Sequence, residues 1–447
     1  MSDLLPRLRA DLEINPSPIA DRPGVLLRDP YRYSDAVVVV PPALVPCLLF
    51  FDGAHAPRAL RDALTRITGG GDVDGIANQL VQVLSESGFL VDGAFQSLRA
   101  RRQREFGDAP IRAARHAGGG YPDEPSALAS TVATWLATVP DESPSSDDRG
   151  TRSSAGDTTR DGAGTTTSDG AGTTTSGGAG TTTNGAGALV AIAAPHVSPE
   201  GGPATYGAAY RELTPDLADR TFVILGTSHY GRPHRFGLTR KPFQTPLGTT
   251  RTNPALFDEL LRAAPQALEL EDYCHAVEHS IEFQVLFLQS VLGPDIRILP
   301  ILCGPFLHDG APTSRPEDDP VVARALNALG ELGAKHGERL VWVLGVDMAH
   351  VGRRYGDDLD ARVGEGDMLA VAARDRLRLD RIAAGDADGF WRLAHERGAD
   401  DLKWCGSAPL YSFLRAVPEA RGTLLHYDQW NIDPTSVVSF SALRFTR

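Results

Sequence analysis

Four apolar stretches constrain this chain most: ALVAIAA (188–194), TFVILG (221–226), RILPILCG (297–304) and RLVWVLGV (339–346). Their hydrophobicity is continuous rather than alternating, so each is expected to be a strand covered on both faces, which is the situation of a mostly parallel sheet sandwiched between helices. The segments between them, such as PALFDELLRAAP and VVARALNALGELGAKHG, carry helical apolar spacing. The expected fold class is therefore α/β.

Open α/β sheets bind ligands beyond the carboxyl ends of their strands. Three of the four stretches run into histidine there: Pro195-His196 after the first, Thr227-Ser228-His229 after the second, and Asp347-Met348-Ala349-His350 after the last. One such histidine would usually be a hydrogen-bonded core residue; three at equivalent strand ends point to a common pocket. A fourth contribution comes from HAVEHSIEFQVLFLQSVL, where Ile281, Val285, Leu288 and Val291 are spaced as one face of an amphipathic helix. On that helix His275 and His279 share a face, as do Glu278 and Glu282, the spacing that presents two ligands, or one ligand and one base. Imidazole with carboxylate suits iron, copper, zinc or manganese. The same groups also titrate near neutrality and could exchange protons without metal. Spacing leaves both open.

Other chemistries find little support. No HExxH, GxSxG, GxGxxG or GxxxxGK[ST] element is present. The four cysteines are widely spaced and unpaired by any CxxC, so reduced thiols are expected. Cys405, in WCGSAP, reads as a small buried cysteine in preference to a reactive thiol at a helix start. A net charge of −13 argues against a nucleic-acid surface. No stretch is apolar enough to span a bilayer or direct secretion, so a cytoplasmic protein with no membrane contact is expected.

Between about residues 141 and 187, Ser, Asp, Gly and Thr displace nearly all large apolar residues, and the octapeptide DGAGTTTS at Asp161 recurs at Asp169 and, altered, at Gly177. No core can form from this composition, which reads as a disordered tether. It interrupts an α/β domain expected over 109–447. Before it, residues 1–108 carry short β-like and helical patterns, with Leu60, Leu64 and Ile67 on one helix face and GFLV as a strand. That order suits a small winged-helix-like α+β module similar in pattern to PqqD-type peptide chaperones.

The ordered phrases ARHAGGGYP, APHVSPEGGPATYGAAY, VILGTSHYG, TPLGT, HAVEHSIEFQVLFLQ, ILPILCG, VLGVDMAHVG, WCGSAPLYSFL and SVVSFSALRF resemble the Memo family, known in prokaryotes as protein B of the AmmeMemoRadiSam system. The resemblance implies a fold similar to class III extradiol dioxygenases and a metal-dependent redox or oxygenase-like pocket. It implies His196 and His229 as metal-site residues holding Fe(II), or alternatively Cu or Zn, and His279 as the proton-moving residue. It places Ala349 at the third metal position, where a ligand would be expected, leaving Asp347 to complete the metal set and Glu282 and His350 to assist His279. Implied associates are radical SAM and AMMECR-like proteins. The alternative is a non-catalytic peptide-binding or assembly protein working with a radical SAM partner, its pocket taking a small molecule or a peptide.

Overall fold

The computed structural model describes residues 4–19, 21–138, 187–232, 234–308, 311–312, 315–396 and 398–447. The repeat-bearing tether lies outside them. In the N-terminal part, β1 (Glu13–Pro16), β2 (Val25–Arg28) and β3 (Val37–Val40) form an antiparallel meander followed by α1 (Pro57–Thr68), α2 (Val73–Glu86) and α3 (Gly93–Asp108). Leu27, Val40, Leu60, Leu64, Leu80, Leu84 and Phe89 make a small core of their own. Two details differ from expectation: Ile67 turns outward in the last turn of α1, and GFLV contributes only a bridge between Leu90 and Leu8.

After α4 (Pro125–Ala137) the chain builds a ten-stranded sheet from β4 (Leu189–Ala194), β5 (Thr221–Thr227), β6 (Phe236–Leu238), β7 (Arg251–Thr252), β8 (Leu268–Leu270), β9 (Arg297–Cys303), β10 (Leu340–Gly345), β11 (Asp347–Gly352), β12 (Arg421–Asp433) and β13 (Ser436–Thr446). The four expected strands are its parallel centre, in the order β9-β5-β10-β4. The long β13 pairs antiparallel with β4 and β11, and with β12.

Continuous hydrophobicity is explained by the two cores. Ala191, Ala193, Val223, Leu225, Leu299, Ile301, Trp342 and Leu344 face one layer, built on α6 (Pro254–Ala263), α8 (Pro320–His336), α9 (Asp367–Ala383), α10 (Ala387–Ala394) and α11 (Ser407–Ala416). The intervening Ile192, Phe222, Ile224, Ile298, Leu302, Val341 and Val343 face the other, built on α4, α5 (Pro203–Tyr210) and α7 (Glu282–Leu292). Among the described residues no helix is long and apolar enough to cross a membrane.

The amphipathic helix expected from His275 onward is not what forms. Residues Tyr273–Ala276 make a 3-10 turn and α7 begins only at Glu282; every residue from Glu282 to Gln289 is buried. The cause is tertiary: this segment crosses the strand ends before entering the core, so its polar first half is spent on a loop. Truncating a central strand residue, Leu225→Ala, is expected to cost about 2–5 kcal/mol through a cavity between sheet and helices, measurable as a fall in unfolding free energy in urea.

Candidate metal centre

The parallel register sets Ala194 beside Gly345, Gly345 beside Gly226, and Thr227 beside Cys303, so the central strands stop together. The next residues of β4 and β5 deliver His196 and His229 to one spot. His279 arrives from the side. Its loop lies directly on the strand ends, with Ser280 Oγ donating to Thr227 O at 2.7 Å. Side chains at Gly226 or Gly345 would forbid this: a Cβ on Gly226 would stand 2.6 Å from Ser280 Oγ, and one on Gly345 2.2 Å from Ser280 O. The three imidazole centroids are 5.0, 5.2 and 5.0 Å apart, and one ring nitrogen from each lies within 4.8 Å of the others.

Each ring is held by its other nitrogen. His196 Nδ1 lies 2.9 Å from Gly345 O, and His229 Nδ1 2.9 Å from Glu278 Oε1, while His279 Nδ1 is 3.2 Å from that same oxygen. With Nδ1 as donor, the second proton, which the acidic neighbours of His196 and His229 favour, sits on Nε2, and its release frees a lone pair there, the arrangement by which outer partners fix a metal-binding tautomer. Glu278 is fully buried, and also accepts from the His229 and His279 amides at 2.8 and 3.0 Å. Burial works against its charge, but His229 and His279 outweigh that and hold the carboxyl well below its usual range. His196 is buried, whereas the side chains of His229 and His279 are 27% and 28% exposed and form the mouth.

A sulfur lies beside the three histidines. Cys405 Sγ sits 3.2 Å from His196 Nε2, two positions before α11 begins. Burial pushes its thiol up, yet His196, His350 and the hydrogen bonds of His196 and His229 together hold it well below the ordinary thiol range. Reciprocally, burial lowers His196 but Asp347 and Cys405 raise it to about 9. The segment bearing Cys405 is anchored from α9: Arg378 forms a double ion pair with Asp400, which accepts the Leu402 and Trp404 amides, and buried Asp375 accepts from Trp404 Nε1 at 2.8 Å. Gly406 N then donates to Asp347 O at 3.0 Å, locking this loop to the start of β11.

Two expectations are corrected. Ala349 is not at the ligand position; it is buried in β11 with its amide on Ser439 Oγ, and Cys405, 56 residues further along, occupies the place beside His196. The dipeptide Cys405-Gly406 before a helix was the available signal, since only glycine fits against Asp347 O and Val346 there. His275 does not share a face with His279. It is buried with Nε2 3.0 Å from Gly237 O, and burial lowers it to about 4.

The remaining candidates fall at varied distances from the chemistry. Asp347 Oδ1 accepts from the His196 and Val197 amides, and Oδ2 is 3.5 Å from His196 Nε2. His350 lies on β11, its Nδ1 2.9 Å from Met348 O and its ring edge-on to Tyr355. Glu282 is occupied: Arg112 and Tyr121 bond its oxygens, as do the Arg115 and His116 amides. It ties the segment before the tether to α7 and brings His116 edge-on to His279, with ring centroids 5.7 Å apart. No spacing signal had singled out His116.

Cys47, Cys274 and Cys303 are buried, and burial pushes their thiols up. Iodoacetamide on native protein should therefore label Cys405 alone, with a rate nearly flat from pH 6 to 8, whereas an ordinary thiol would gain roughly tenfold per pH unit below its pKa. Peptide mass mapping reads the site, and Cys405→Ser should abolish labelling.

Comparison with known proteins agrees with this picture. The family model described as Memo-like protein matches residues 181–444. A MEMO1 family protein of Aquifex aeolicus is 23% identical over 425 residues, covering 94% of this chain and 95% of its own. One from Methanosarcina acetivorans is 28% identical over 229 residues, covering 50% of this chain and 74% of the relative. One from Pyrococcus furiosus is 29% identical over 240 residues, covering 50% and 72%. A solved structure of an uncharacterized protein from Escherichia coli K12 aligns at 14% identity with a TM-score of 0.37, covering 57% of this chain and 99% of that one, a likeness too loose to bear on the fold. The chain belongs to the Memo family.

Proposed function

We propose that the histidine pocket is a mononuclear metal centre serving oxidation of a small substrate, in the manner of non-haem oxygenases. The observation that carries this reading is the approach of three imidazoles to one another, one ring nitrogen from each within 4.8 Å of the others and each Nδ1 held by an oxygen, beside a thiol. The donor set fits the group: imidazole suits iron, copper and zinc, and thiolate adds preference for the softer ions. His196, His229 and Cys405 would hold Fe(II), or alternatively copper or zinc. Such an ion supplies Lewis acidity and, for iron or copper, one-electron chemistry.

The protein's own groups divide the remaining work. His279 stands at the mouth, and burial together with the neighbouring His229 and His196 outweighs Glu278 and lowers it, leaving a neutral imidazole able to accept a proton at Nε2. Glu278 holds His229 and His279 in one tautomer. His116, lowered to about 4 by burial, adds an uncharged wall beside His279.

A second reading, a non-catalytic peptide-binding or assembly protein working with a radical SAM enzyme, draws support from the small N-terminal sheet, where Val37 and Ile14 are 59% and 49% exposed. The two separate on metal. After anaerobic reconstitution with Fe(II) and desalting, the wild type should retain about one equivalent, as a preformed site whose imidazoles release protons to the solvent on binding would. The His196→Ala, His229→Ala double variant should retain little, and Glu278→Gln should bind roughly 10–100-fold more weakly. Equal iron in wild type and double variant would sink the metal reading.

A further inference from the structure

The N-terminal module is not merely attached to the sheet domain; the turn between β2 and β3 packs on the residue that follows His229. Asp29, buried and paired with Arg9 at 2.8 Å, accepts the amides of Tyr31 and Ser34, both at 3.1 Å. This turn forces Arg32 into the left-handed region, at φ +51°, a conformation that non-glycine residues adopt only where surroundings fix it. Two tyrosines clamp the turn from either side of Arg32. Tyr31 packs on Tyr230, centroids 5.1 Å apart, and Tyr33 stacks on Tyr273 at 4.9 Å, with Tyr273 O–H donating to Tyr31 O at 3.1 Å. Tyr230 directly follows His229, and their rings lie 6.2 Å apart.

The seam so formed holds two cavities of about 300 Å³ each, and Arg32, Asp35 and Val277 line both. The first also exposes Arg115; the second is walled by His116 and Tyr230, whose rings adjoin His279 and His229. Charge along the seam is unevenly matched. Glu13 pairs with Arg28, Asp29 with Arg9, and Asp35 with Arg102 at 2.6 Å. Glu105 pairs with Arg102 and Arg101, and Arg112 with Glu282. Arg115 reaches only Asp35, at 3.9 Å, and its guanidinium is lowered by burial and by the nearby Arg32. Among the described residues Arg32 has no side-chain hydrogen bond or ion pair. Two cations thus face one seam without a full complement of acids, next to an aromatic and aliphatic wall.

We propose that the first of these cavities is a ligand site, in which Arg32 and Arg115 take the carboxylate of a small aromatic or unsaturated acid and Tyr273 and Val277 support its carbon skeleton. Guanidinium pairs are the usual partners of carboxylates because their donors match both oxygens, and a space of this size suits a small ligand. The binding proposed stands apart from the metal reading above and does not depend on it.

The test uses full-length protein, benzoate as probe, and excess chelator so that no metal takes part. Titration calorimetry should give saturable benzoate binding, weakened as salt rises from 50 to 500 mM, and no binding of uncharged benzamide. Arg32→Gln with Arg115→Gln should weaken benzoate about tenfold or more, the usual consequence of losing charge-assisted hydrogen bonds. The Arg32→Lys, Arg115→Lys variant should bind benzoate more tightly than the glutamine variant but more weakly than wild type, because the positive charge is kept while the paired donors are lost. Unchanged melting temperature in the glutamine variant separates lost recognition from lost folding, and its iron content after reconstitution should equal that of wild type. Absence of benzoate binding to wild type, equal binding by the glutamine variant, or equal binding of benzamide would each overturn the ligand site while leaving the metal reading intact. Failure of wild type to retain iron while benzoate still binds through the arginines would overturn the metal reading alone.

Discussion

One buried carboxylate organises the pocket. Glu278 stands behind His229 and His279, accepting from both rings and from the amides of both residues. Removing a carboxylate from water costs several kcal/mol, offset only where several donors surround it; here imidazole and peptide N–H groups do so. The same contacts fix two of the three rings in the tautomer that leaves Nε2 free. Without Glu278, His229 and His279 would each be free to turn, and the point of convergence would be lost.

A second buried carboxylate, Glu282, plays a different part four residues later. It gathers Arg112, Tyr121 and the amides of Arg115 and His116, so that the chain before the tether becomes a wall of the pocket rather than a separate arm. Arg112 extends this by donating to the carbonyls of His275 and Glu278. Helix α9 performs the corresponding task for the sulfur, through Arg378 on Asp400 and Asp375 on Trp404. Three remote segments are thereby brought to the strand ends, each by a buried charge whose partners leave it little alternative geometry.

What could be read in the chain followed from local rules. Runs without alternation demanded strands covered on both faces, and the two cores bear this out residue by residue. Histidines placed just after such runs had to meet if the strands were parallel and in register, and His196 and His229 do. The helix expected around His275 shows where local rules stop. Its apolar spacing was real, but Gly226 and Gly345 left room for a loop across the strand ends, and that contact overrode the periodicity.

The sequence by itself determined the sheet, its covering helices and the presence of a histidine pocket, because hydrophobic period and strand-end position are local properties written in consecutive residues. Tertiary structure alone decided which groups complete that pocket. Cys405 and His116 lie far along the chain from the strand-end histidines, and their approach depends on buried ion pairs and glycine contacts between segments that no spacing rule connects. The same holds for the placing of Arg32, whose turn is set against the sheet domain by Tyr31 on Tyr230 and Tyr33 on Tyr273.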